Sequence, residues 1–297
     1  MTTTTRTRGR RTRGLLSLAR GMTATWTGTL AAVLVLLVLA AVVLAPVLAP
    51  YDPAAQDIDA RLQGPSASHL LGTDALGRDL LSRAIFGARI ALAVAIPAGV
   101  IALVIGLVLG VLAGYLGGRI DRLLLVVMDS MQAFPAVILA LALLSLLGAS
   151  QRNLTLVIAV TFAPAYARMA RASVFVVREQ PYIEAEQSLG AGRLRILVRH
   201  VVPNIIAPLF ILVAINIPVA VTIAAGLSFL GLGVPPPAPD WGVMLNEGFD
   251  RVRESPWPLA VPALALVIAT LGFTLLGETL RDHLDPRLSG TRGFSRA

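Results

Sequence analysis

The sequence predicts an all-α integral membrane protein with six transmembrane helices. Three observations carry this. First, 56% of the 297 residues are hydrophobic and only 14% are charged, with a mean hydropathy of +0.77, whereas a soluble domain carries roughly 25% charged residues. Second, the apolar residues fall into six runs, 27–49, 88–115, 123–147, 154–175, 202–226 and 258–280, each longer than the ~20 residues a helix needs to cross a ~30 Å hydrocarbon core. Third, with both termini placed inside, the inside segments hold 16 arginines and the outside segments 6, the asymmetry that orients membrane helices.

The same charge count limits the chemistry. All 25 basic residues are arginine, so a phosphate-binding loop of the GxxxxGK[ST] type, which needs a lysine, cannot exist in this chain. The absence of cysteine excludes disulfides, thiolate metal sites and cysteine nucleophiles. The net charge of +8 follows membrane topology, which argues against a nucleic-acid surface.

Residues 1–26 read as a basic cytoplasmic tail before the first span. The apolar run from Leu30 to Leu48 is long for a signal peptide and ends in "APVLAPYDP" without a clean cleavage site. The outside loop that follows contains "HLLGTDALGRDLLSRAIFGARIAL", 69–92. Thr73 or Asp74 is placed to cap a helix, Asp79 and Arg83 are spaced as an i,i+4 pair, and Leu76, Leu80, Leu81, Ala84 and Ile85 form one apolar stripe. This reads as a short amphipathic helix lying on the outer face before the second span.

Short turns, 115–122 and 148–153, join the second span to the third and the third to the fourth, so these helices are antiparallel neighbours. Two acids fall inside the expected spans, Asp129 and Glu278. An ionisable residue there is a functional candidate. For Asp129 the readings are a gate or helix contact on one side and a carboxylate reaching interfacial water or Arg122 on the other; Glu278 reads as interfacial. Arg89, Arg168 and Arg171 lie near helix ends, where they can snorkel. His69, His200 and His283 have no second metal ligand at HxxxH or HExxH spacing, and no catalytic constellation appears. The outside segment before the sixth span contains "LSFLGLGVPPPAPDWGVMLNEG", 227–248, with three consecutive prolines as a stiff corner and with Trp241 and, beyond it, Trp257 suited to the membrane boundary.

The polar stretch "EAEQSLGAGRLRILVRHVVPN", 184–204, stands out in so apolar a chain. Pro181 suits a first helical position, Glu184 a first turn, and Gly190 a stop. Tyr182, Ala185 and Leu189 form the expected stripe of this short helix. A second helix is expected from about Gly192, with Leu194, Leu197, Val198 and Val201 on one side and Arg193, Arg195 and Arg199 elsewhere, until Pro203 marks the start of the fifth span. Periodicity alone fits an amphipathic anchor on the inner leaflet.

The spacing of glutamate, alanine and a glycine six residues after the glutamate resembles the EAA motif of binding-protein-dependent ABC importer permeases. The stretches 69–92 and 227–248, together with "LGETLRDHLDPR" at 276–287, are similar to the C-type permease subunit of dipeptide, oligopeptide and nickel importers. The resemblance covers about 69–287 and implies a type I ABC importer permease, MetI-like fold. On it, 1–26 is a cytoplasmic tail, 27–87 a first helix and extracytoplasmic loop, 88–280 the type-1 permease domain, and 281–297 a second cytoplasmic tail.

Several further expectations are implied by this resemblance. Residues 181–190 would be the coupling helix that enters a groove of the cytoplasmic ATPase, with Tyr182, Glu184, Ala185, Leu189, Gly190 and Arg193 as its site. Pro235, Pro236, Asp240 and Trp241 would build the outer mouth met by the binding protein. The chain itself would bind no cofactor and no metal, ATP and Mg being held by two partner ATPase subunits, and a second permease subunit would complete the path in a bacterial inner membrane. Glu186 departs from the family, which has a small residue there. A secondary transporter or channel is the rival; it would need ion-coupling charges in mid-membrane and no inner docking element, the reverse of what the sequence offers. The solute, a dipeptide, oligopeptide, nickel chelate or other, is not written in the membrane chain.

Overall fold

A computed structural model describes residues 25–284, with side chains through Asp282. The expected basic tail before Thr25, the tail after Leu284 and the side chain of His283 lie outside the described residues.

The chain is helical. α1 (Trp26–Leu48) is followed by a loop with one 3₁₀ turn, then α2 (Leu80–Leu116), α3 (Gly118–Gln132), α4 (Ala136–Leu147), α5 (Gln151–Arg178), α6 (Pro181–Ser188), the single turn α7 (Arg193–Ile196), a π turn (197–201), α8 (Val202–Phe229), α9 (Trp241–Phe249) and α10 (Trp257–Leu284). Among the described residues five helices are long and apolar enough to cross a membrane; α3 and α4, bent by 91° at residues 133–135, make a sixth if taken together. The expected boundaries of the first, fourth, fifth and sixth spans hold to within three or four residues.

Two elements differ from expectation. The second span begins at Leu80, capped by Asp79 through Ser82 N at 2.8 Å; there is no separate surface helix, and neither Thr73 nor Asp74 caps one. Leu80, Ser82 and Arg83 are buried because this first turn is overlaid by the loop and by α9 rather than lying on lipid. The third span is broken at Pro135. A proline removes an N–H and forces the preceding residue, Phe134, out of the helical region, and the polar run Asp129, Ser130 and Gln132 just before it gives a lipid-buried helix little reason to continue.

α2 is the central element. It packs along α5, and also against α1, α3 and α8, while α10 packs on α1, α8 and α9. The α2–α5 contact is set by Gly106, Gly110 and Gly114, one turn apart. A Cβ on any of them would come under 3.0 Å from Tyr166 Cβ, Ala170 Cβ or Val174 Cβ respectively, so the absence of side chains is what lets the two backbones approach. Tyr166, fully buried in this seam, accepts from Asn216 Nδ2 at 3.2 Å and so ties α5 to α8.

Candidate functional site

At one end of the bundle, α6 and the π turn sit against the roots of the long helices. Gln180 takes an extended conformation and Pro181 opens α6. Its end is a full Schellman stop: Gly190 N–H donates to Gln187 O and Ala191 N–H to Glu186 O, both at 3.0 Å, with Gly190 at φ +81°. The expected helix and its expected glycine stop are both present.

The face that holds α6 in place is not the expected stripe. Ile183 is fully buried with Val174, Ile196, Val201 and Ile205, ringed by Leu107, Val111, Tyr115 and Val177 from α2 and α5. Tyr182, Leu189, Leu194 and Val198 are instead 42%, 84%, 74% and 63% exposed, and Ala185, Glu184, Gly190 and Arg193 are exposed too. The cause in the second segment is the π turn, in which Val202 N–H reaches back to Leu197 O. One extra residue in a turn rotates the preceding side chains by ~100°, so Ile196, Val201 and Ile205 share the buried side, where uniform α-helical spacing puts Leu194, Leu197 and Val198. Glu186 turns toward the bundle, 3.4 Å from His200 Nε2.

At the other end, the 50–79 loop is fastened to α2 and α9 by a buried ionic set. Asp74 Oδ2 accepts from Arg78 Nε at 2.6 Å and meets Arg83 Nε at 3.4 Å, and both arginines reach Glu247 Oε2, at 2.7 and 3.4 Å. Arg83 is 1% exposed, so its pairing with Asp74 and Glu247 replaces the expected i,i+4 pair with Asp79, which is taken up by His69 Nδ1 at 3.0 Å and by Ser82.

Pro235 and Pro236 are exposed at this end, but Asp240 and Trp241 are buried. Trp241 Nε1 donates to Ala84 O at 3.0 Å, and the indole lies over Gly87; it is a core residue and not the boundary or partner-contact residue expected. Asp240 caps α9, accepting from Gly242 N at 2.8 Å and Val243 N at 3.1 Å. Burial pushes its carboxyl above the usual range, against the opposing pull of those N–H groups and of Ser228.

Asp129 has a partner that the sequence did not suggest. Its Oδ1 accepts from Arg168 Nη2 at 2.8 Å, with both side chains exposed, so it joins α3 to α5 and does not reach Arg122. Arg171 is likewise paired, with Asp121, instead of snorkelling. Among the described residues no group of three or more His, Asp or Glu is arranged to hold a metal ion.

Among the described residues, five unbroken apolar crossings, a sixth interrupted at its midpoint, and a short glycine-stopped helix docked at the helix roots make an all-helical membrane protein. Residues 106–290 match the family described as binding-protein-dependent transport system inner membrane component, and residues 27–65 match the N-terminal TM domain of oligopeptide transport permease C. The chain belongs to this permease family.

It is 42% identical over 261 residues to the glutathione transport system permease protein GsiD of Shigella flexneri serotype 5b, covering 88% of this chain and 86% of that one. It is 41% identical over the same span to GsiD of Escherichia coli O6:K15:H31, with the same coverage. A chain of the MetNI methionine ABC transporter, solved in inward-facing conformations, superposes with a TM-score of 0.52 over 69% of this chain and 97% of that one at 21% identity; that likeness is one of fold. The family is one of inner-membrane permeases working with ATPase and binding-protein partners.

Proposed function

We propose that this permease imports short peptides or peptide-like solutes, that a second, homologous permease subunit completes its path, and that residues 181–192 receive the drive from the ATPases. On this reading both termini and α6 face the cytoplasm, as the arginine distribution favours, and ATP with Mg is bound by the partner subunits alone. The observation that carries the coupling role is the two-sidedness of α6. One residue, Ile183, fixes it to the roots of α5 and α8, while Ala185 and Leu189 are exposed. Exposed apolar side chains at a polar, arginine-bearing surface fit a groove on another protein. Pro235 and Pro236, exposed at the opposite end, remain the outer-mouth candidates; Asp240 and Trp241 support them from inside. Of the gate and helix-contact roles expected of Asp129, its pair with Arg168 favours the helix contact. The substrate class rests on the GsiD relatives, named for glutathione transport.

The test is Leu189→Glu, which puts a charge on the exposed face without touching the buried one. Membrane insertion at normal level with loss of ATPase co-purification and of solute uptake supports the reading. Normal ATPase retention and uptake return α6 to a membrane-surface helix. Competition for uptake by glutathione and by di- to pentapeptides, with the cognate binding protein present, decides the solute class.

A further inference from the structure

The bundle-facing side of α6 carries a charged residue that meets a specific group. Glu186 follows Ile183 by three residues, so both lie on one side of the helix. Its Oε1 stands 3.4 Å from Nε2 of His200 in the π turn, within ion-pair distance of a nitrogen that is buried and makes no hydrogen bond among the described residues. The same imidazole lies against the Tyr182 ring, centroids 6.1 Å apart and tilted by 50°. Asn204, one turn further along, donates Nδ2 to His200 O at 2.5 Å and to the Tyr182 hydroxyl at 3.5 Å. Tyr182 and Glu186 on α6 thus face His200 and Asn204 at the root of α8.

Mechanics gives this polar set a purpose. α6 has eight residues, too few to be stable as an isolated helix, and its far end runs into Gly190 and Gly192. A single apolar anchor such as Ile183 fixes position but permits rotation about the contact, because hydrophobic burial is non-directional. A second, directional contact off that axis fixes orientation. With its proton on Nε2 the imidazole donates toward a carboxylate in either charge state.

We propose that Glu186 and His200 are positioning residues, forming a polar latch that fixes the orientation of α6 on the root of α8 so that movement of one is passed to the other. The latch gives Glu186 a place on α6: its carboxylate lies toward His200 and the bundle. This proposal rests on the reading of 181–192 as the ATPase-facing element.

The experiment uses the full chain in lipid nanodiscs, alone and assembled with its ATPase subunits and binding protein, in four forms: Glu186→Ala, His200→Ala, the double variant, and Glu186→Gln. Hydrogen–deuterium exchange of residues 181–192 in the chain alone should rise roughly two- to fivefold in each alanine variant. The double variant should exchange no faster than the singles, since either change already breaks the pair. Glu186→Gln, which keeps an acceptor, should stay near the unsubstituted chain. In the assembled transporter, solute imported per ATP hydrolysed should fall in the same order. Unchanged exchange, or additive effects in the double variant, overturns the latch. Exchange that responds as stated while import per ATP does not would support the latch and overturn the ATPase-facing reading instead.

Discussion

Arg171 grips Asp121 with two nitrogens, Nε at 2.5 Å from Oδ1 and Nη2 at 2.7 Å from Oδ2, and so joins the C-terminal half of α5 to the first turn of α3. The guanidinium also lies over Phe175, 4.6 Å from the ring centroid, with Arg178 at 4.9 Å from the same ring. Planarity serves both contacts: a fork that matches a carboxylate and a face that stacks on an aromatic.

A lysine at 171 keeps the charge but loses the fork and the stacking. Arg171→Lys should therefore destabilise the detergent-solubilised subunit by about 1–2 kcal/mol, and Arg171→Leu by more, since it strands the Asp121 carboxylate. Asp121→Asn combined with Arg171→Gln should recover part of the loss, because no charge is then left unpaired. Thermal unfolding read by tryptophan fluorescence checks this; equal midpoints for Arg171→Lys and the unsubstituted chain would contradict it.

The glycine seam makes a sharper prediction. At Gly110 an added Cβ would meet the Ala167 carbonyl and the Ala170 methyl, backbone and a side chain with no freedom to move aside. Gly110→Ala should cost about 1–3 kcal/mol as an overpacking change, and Gly110→Leu should prevent accumulation of folded protein. A useful control is Gly226→Ala, where nothing lies within 4 Å and stability should be unchanged or slightly raised. Expression and unfolding midpoints of the three variants decide the matter.

How much of this could be read in advance follows from the local character of each signal. Boundaries of apolar runs are local, and four of the six spans were legible to within a turn. The glycine seam was legible as well, since Gly106, Gly110 and Gly114 recur every four residues, although the sequence reading did not use it. Pro135 was harder: Pro97, Pro164, Pro218 and Pro262 all sit inside unbroken helices, so a proline in an apolar run does not by itself announce a break. Ile196 falls outside the expected stripe because a π turn changes the helical period, and nothing in the residues at 197–201 marks one; Ile183 falls outside it because the eight residues of α6 allow more than one apolar stripe. The partners of Arg83, Asp129 and Arg171 lie up to 164 residues away, beyond the reach of any local pattern.

Asp240 gives a pH prediction. Its carboxyl is raised in the folded chain because burial outweighs the stabilising N–H and hydroxyl contacts. The folded state therefore holds a proton that the unfolded state has already lost. Stability falls as pH rises from the ordinary carboxylate range through the raised folded value, and is then flat. Asp240→Asn, which keeps an acceptor for Gly242 N and Val243 N without the charge, should remove this slope and be at least as stable at neutral pH. Asp240→Ala, lacking the cap, should lie about 1 kcal/mol below Asp240→Asn at every pH. Unfolding midpoints measured from acid to neutral pH test both; a more stable Asp240→Ala than Asp240→Asn would show that the cap contributes nothing.

Gly190 separates backbone strain from contact at the proposed coupling site. Its φ of +81° and the absence of any atom within 4 Å of a built Cβ mean that a side chain there meets open space and pays only in backbone conformation. Gly190→Val should strain the Schellman stop by roughly 1–2 kcal/mol, more than a helix of eight residues can absorb without fraying, while the spans remain folded. Asparagine enters the left-handed region far more readily, so Gly190→Asn should retain most of the stop. The expected order of solute uptake is therefore unsubstituted chain, then Asn, then Val, at equal membrane levels of all three. Addition of ATPase partners should protect residues 181–192 from proteolysis in the first two and not in the third. If Val and Asn are equally impaired, the side chain obstructs a partner surface and backbone strain is the wrong cause; if neither is impaired, the end of α6 has no part in transport.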